Sequence, residues 1–124
     1  MTDERNEAIL RVMPRLGDIN ANGHIFGGWV LSQMDIAGGI CAHRIAHGPV
    51  ATVAVEGMEF ISPILLGDIV SVYATEERRG RTSIAIRIEV IATRGIEQEQ
   101  VPVTSGVYTF VALDEDQRPR PLPV

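Results

Sequence analysis

The sequence predicts an α+β fold in which an antiparallel sheet wraps around one long central helix. Three observations predict it. A single long segment, Gly28 to about Ala46, lacks proline and repeats apolar residues at helical spacing. Four strand-like runs separated by turn residues follow it, and one short run precedes it. The helix is also apolar over most of its circumference, so it needs cover on most sides.

In chain order, Ala8 to Met13 is a short apolar run ended by Pro14 and reads as a strand entering a long loop. In the helix, Val30, Met34, Ala37, Cys41 and Ile45 form one apolar stripe, with Trp29, Leu31, Ile36 and Ile40 outside it. Beyond Gly48-Pro49 the strands run Val50 to Phe60, Ile69 to about Glu76, Thr82 to Ala92 and Val103 to Leu113. The third is the clearest, with Ile84, Ile86, Ile88 and Val90 on one face and Arg87 and Glu89 on the other. Ser62-Pro63 with Gly67-Asp68, Arg79-Gly80-Arg81, and Gly95 to Pro102 mark the turns, so antiparallel hairpins between consecutive strands are expected. A sheet curled around one helix is the hot-dog arrangement. It leaves an edge strand open, an aggregation hazard unless another subunit covers it, so a dimer with a continuous sheet is expected.

The 124 residues fit a single domain spanning 1–124. With 45% hydrophobic and 22% charged residues the composition is that of an ordinary globular chain, neither disordered nor membrane-embedded. No apolar run approaches the ~20 residues of a spanning helix. Met1 to Glu7 is acidic rather than a basic lead into a signal sequence, so no membrane association and a cytoplasmic address are expected. The net charge of −5 without a basic block argues against nucleic-acid partners. All 11 basic residues are arginine, which removes Schiff-base and Walker-type chemistry. Cys41 is the sole cysteine, so no disulfide, zinc or redox motif can form, and neither metal nor cofactor is implied. Cys41 is expected to be a buried small hydrophobe, and His43 and His47 to be structural residues at the helix end.

The chemistry concentrates in residues 20 to 39, Asn-Ala-Asn-Gly-His-Ile-Phe-Gly-Gly-Trp-Val-Leu-Ser-Gln-Met-Asp-Ile-Ala-Gly-Gly. Gly27 and Gly28 let backbone approach a ligand closely, and the free N–H groups of a first helical turn favour negative charge. They form either an oxyanion hole or simply a tight entry into the helix. Asp35, two turns in among Met34, Ile36 and Ala37, reads as a general base or nucleophile sharpened by apolar surroundings, or as a carboxylate satisfied by a hydrogen bond or subunit contact. His24 is a candidate proton carrier or carbonyl donor, the alternative being an exposed loop histidine, and Asn22 beside it joins the candidate catalytic group. Arg79, Gly80, Arg81 and Ser83 make a cationic turn suited to phosphates, or a solvated hairpin tip. Thr52 and Glu56, four apart in a strand, are expected on one face lining the same pocket.

The residues 20 to 39 strongly resemble the YciA-like branch of the bacterial acyl-CoA thioesterases. The likeness continues through Val53-Ala54-Val55-Glu56-Gly57-Met58, Phe60-Ile61-Ser62-Pro63-Ile64, Gly80-Arg81-Thr82-Ser83-Ile84 and Tyr108-Thr109-Phe110-Val111-Ala112, over about residues 8 to 121. The resemblance implies hydrolysis of acyl-CoA to a free acid and CoA. It implies Asp35 as catalytic carboxylate, Gly27 and Gly28 amides polarising the thioester carbonyl, and Arg81 and Ser83 near the CoA phosphates. It further implies an active site shared across a dimer, and dimers assembled into hexamers. Relatives often carry Asp or Asn where this chain has His24. Two rival readings are a hot-dog hydratase or dehydratase using Asp18 and His24, and a noncatalytic acyl-CoA binding module.

Overall fold

In the computed structural model, which describes residues 7–124, a helix α1 (Gly27–Ala46) lies on one face of a five-stranded antiparallel sheet. The strands are β1 (Leu10–Val12), β2 (Val50–Phe60), β3 (Ile69–Arg79), β4 (Ser83–Arg94) and β5 (Glu99–Ala112). The acidic segment 1–6 lies outside the described residues. Every element expected from the sequence is present. No helix among the described residues is long and apolar enough to cross a membrane.

The sheet order is β1-β3-β4-β5-β2. Two of the expected hairpins form, β3–β4 and β4–β5. The third does not: β2 pairs with β5 rather than β3. The connector 61–68 carries Pro63 and is too long for a tight hairpin turn. It instead crosses three strand spacings, roughly 14 Å, to the other side of the sheet. The polar stretch Gly95 to Pro102 is also less of a turn than its composition suggests. Its turn ends at Gln98, where positive φ at Gly95 (73°) and Gln98 (55°) reverses the chain, and Glu99 already pairs with Arg94.

Alternation in β4 places Ile84, Ile86, Ile88 and Val90 in the core, all essentially inaccessible. Against them α1 presents Val30, Met34, Ala37, Gly38, Ala42 and Ala46. The expected stripe therefore rotates at its C-terminal half, where Ala42 and Ala46 are buried and Cys41 and Ile45 only partly so. Small side chains let the helix approach most closely: a Cβ on Gly38 would sit 2.7 Å from Ile88 Cδ1 and 2.9 Å from Phe110 Cζ. The sheet covers this face alone. Contrary to the expectation of cover on most sides, Leu31, Asp35 and Ile36 are exposed in the single chain.

Both ends of the scaffold are tied by arginine. His47 ends α1 in the left-handed conformation (φ 56°), and Arg120 Nη2 donates to the terminal Ala46 carbonyl at 2.8 Å while its Nε donates to Leu113 O at 2.9 Å. Asp68, 2% exposed, accepts from Arg94 Nη2 at 2.8 Å and Nε at 3.0 Å, and also from the Leu65 amide at 2.9 Å. Arg94 Nη2 donates further to Pro63 O at 3.0 Å, so this cluster fixes the crossing connector. Removing the guanidinium strands a buried carboxylate. Arg94→Ala is expected to cost about 3 kcal/mol in chemical denaturation, with Arg94→Lys, which keeps charge but loses the fork, falling between it and the native chain.

Candidate active site

Asp35 stands on the open face of α1, exposed rather than enclosed by apolar neighbours. Its partner comes from β2: Thr52 Oγ1 donates to Asp35 Oδ1 at 2.6 Å. Together with Gly28, Leu31, Ser32, Val55 and Tyr108 these two line an open cleft of about 490 Å³. Tyr108 forms its floor. Its hydroxyl donates at 3.1 Å to Leu31 O, the carbonyl that in a regular helix also accepts the Asp35 amide. Sequence reasoning gave Tyr108 no site role. The available signal was its place two residues before Phe110 in an alternating strand, which puts both rings inward.

Thr52 and Glu56 do not share a face. A bulge at Val53 sets two residues of β2 against one of β5, so Thr52 opposes buried Phe110 while Glu56 opposes Val107 on the outer surface. There Glu56 lies 3.6 Å from Arg78.

His24 and Gly27 belong to a second cleft, of about 340 Å³, walled by Asn20, Phe60, Ser62 and Ile64. The loop carrying His24 is wound around Asn20, a residue given no role by sequence reasoning although asparagine at a turn start signals such a loop. Asn20 Oδ1 accepts from the amides of Asn22 (2.9 Å) and His24 (3.1 Å), and the Asn20 amide donates to His24 O at 2.7 Å. Gly23 closes the turn at φ 79°. Asn22 itself is exposed at the tip. Phe26 caps α1 without any side-chain hydrogen bond, so the first-turn amides at Gly27 and Gly28 have no partner within the helix.

The cationic turn is a third location. Arg79 is not free for phosphate: its Nε and Nη2 donate to Glu76 at 2.6 and 2.8 Å, which raises the guanidinium and lowers the carboxylate from their ordinary values. The Gly80 amide donates to Ser83 O at 2.8 Å. Arg81 is exposed, and its guanidinium makes no hydrogen bond or ion pair among the described residues. Asp18, paired with His24 in the hydratase reading, accepts from the Arg15 amide at 2.8 Å and lines neither cleft. Cys41 is partly buried, and burial foremost, then Glu76, pushes its thiol up.

Burial, and secondarily the charge of Asp35, pushes the Tyr108 phenol up to about 12 from an ordinary 10.0. The folded state therefore holds this proton more tightly than the unfolded chain. The resulting stabilisation is complete below pH 10 and is lost as pH rises towards about 12. Ultraviolet titration of the tyrosines is expected to show one late-ionising phenol, moved to lower pH by Asp35→Asn.

Residues 22–98 match the family model of the thioesterase superfamily. The chain is 50% identical to the acyl-CoA thioester hydrolase YciA of Salmonella typhimurium, over 97% of this chain and 92% of that protein. A hexameric broad-specificity acyl-coenzyme A thioesterase, solved as an aspartate-to-alanine mutant, is similar with TM-score 0.90 and 47% identity over 94% of this chain and 86% of that one. A hexameric hotdog-fold thioesterase of Campylobacter jejuni is similar with TM-score 0.91 and 34% identity, over 98% and 93% of the two chains. The chain belongs to the thioesterase superfamily, in the hot-dog branch of the acyl-CoA thioester hydrolases.

Proposed function

We propose that this protein hydrolyses acyl-CoA thioesters with Asp35 as the group that drives attack and helix-start amides as the oxyanion hole. The observation that carries the reading is the 2.6 Å hydrogen bond from Thr52 to Asp35 at an open cleft, in a chain of this family. Thr52 engages Oδ1, and Asp35 Oδ2, with no hydrogen-bond partner among the described residues, takes a proton from water or attacks the carbonyl carbon directly; both routes yield a free acid and CoA. The developing oxyanion is held by the Gly27 and Gly28 amides, at the positive end of the helix.

Those amides come from a second subunit. Gly27 and Asp35 are eight residues apart on one helix, about 12 Å along its axis. A reacting carbonyl must lie within about 3.5 Å of both attacker and donors. The open edge of β2, with Val53 57% and Val55 46% exposed, and the uncovered Leu31 and Ile36 offer the contact surface for that subunit. A dimer through this face, built further into a hexamer like the relatives of known structure, completes the cleft and excludes bulk solvent from it while admitting the attacking water. Arg81, whose guanidinium has no partner among the described residues, and Ser83 are the groups proposed for the CoA phosphates.

Asp35→Asn is expected to lower kcat by about 10²-fold or more in a thiol-release assay across acyl chain lengths, with the fold intact. Undiminished hydrolysis of every acyl-CoA would refute the assignment. Arg81→Ala is expected to raise KM for acyl-CoA several-fold while leaving the phosphate-free acyl-pantetheine unaffected, the pattern of a lost phosphate contact.

A further inference from the structure

Attack and oxyanion stabilisation leave one proton unassigned. When the tetrahedral intermediate collapses, the C–S bond breaks and its electron pair goes to sulfur, giving an alkyl thiolate whose departure is assisted by a proton and which is released as the CoA thiol. Asp35 is poorly placed for this, since it has just accepted the proton of water on the side of attack.

The cleft at Gly27 contains one candidate. Of the described residues lining it, only His24 carries an ionisable side chain. It is partly buried. Its backbone is held on both sides by Asn20, the amide at 3.1 Å and the carbonyl at 2.7 Å, so the imidazole projects from a fixed point. His24 and Gly27 are three residues apart and share the cleft. With the carbonyl oxygen bound at the Gly27 amide, a thioester oriented with its sulfur into this cleft, one bond beyond the carbonyl carbon, has His24 beside the leaving group. Imidazole is the side chain best matched to proton exchange near neutrality.

We infer that His24 is the general acid that protonates the departing thiolate, an assignment that rests on the reading of Gly27 as oxyanion donor. On the general-base route Asp35 takes one proton from water as the oxygen bonds to the carbonyl carbon. His24, as imidazolium, gives one to sulfur as the C–S bond breaks. Asp35 then releases its proton to solvent and His24 regains one, so thioester plus water becomes acid plus thiol. The two charges act from different subunits in one composite site: the carboxylate beside the attacking water, the imidazole beside the leaving group.

A leaving-group series tests this. His24→Gln keeps a hydrogen-bonding side chain but has no proton to transfer. It is assayed as the purified oligomer against three esters of one acyl group: a nitrothiophenyl thioester, the CoA thioester, and the oxygen-ester analogue of that CoA. Nitrothiophenolate leaves without protonation, the CoA thiolate benefits from it, and the alkoxide requires it most. The expected loss in kcat/KM is within about twofold on the first, about 10²-fold on the second and greater on the third. An equal loss across the series, as from a positional or folding defect, or no loss at all, overturns the inference. Should the aryl ester bind too weakly for assay, the ratio between the two CoA esters carries the same comparison. Asp35→Asn run beside it separates the hypotheses. If that variant stays active, the reading of Asp35 falls, while the leaving-group slope still judges His24.

Discussion

A single helix packed against a single sheet face is the constraint on which this molecule depends. Gly38 brings α1 so close to Ile88 and Phe110 that even a methyl group would have to displace core side chains. That close packing consumes one face of the helix and leaves the opposite one bare. The bare face carries Asp35 among Leu31 and Ile36, and the strand beside it, β2, is exposed along most of its length. The same geometry that makes a tight half-core thus creates an unfinished surface, with Asp35 set in its middle.

Much of this was legible in the chain. Helical spacing gave α1, and alternation in β4 gave the core face, because each reports a local backbone period. The candidate site was legible at Asp35 and the paired glycines because polar or unusual residues interrupt an apolar pattern. What escaped was non-local. The pairing of β2 with β5 depends on which strand edge the crossing connector reaches, and a connector's composition encodes no destination. The shared face of Thr52 and Glu56 failed because strict alternation assumes an uninterrupted ladder. Tyr108 and Asn20 were invisible as site residues because their importance lies in carbonyls and amides they hold, which no side-chain pattern reveals.

Arginine takes on several tasks in this lysine-free chain. Arg94 neutralises a buried carboxylate and pins the connector, Arg120 ties the tail to the end of α1, and Arg79 is closed on Glu76. These guanidinium groups use their several planar donors against oxygen atoms that a point charge would satisfy less completely. Arg81 stands apart in having none of these obligations among the described residues, so neighbouring cations of one turn differ in what already holds them.

The extra residue at Val53 determines how β2 can change over time. Because it resets the pleat, Thr52 faces the helix and Glu56 faces outward although the two are four residues apart. Substitutions in this strand alter one side chain at a time, but loss or gain of a single residue there would exchange the two faces wholesale, turning the Asp35 partner outward. A change of length is therefore better accommodated in the turns, such as 95–98 and 114–117, than in β2, whose residue count matters to the placing of Thr52 as much as any of its side chains.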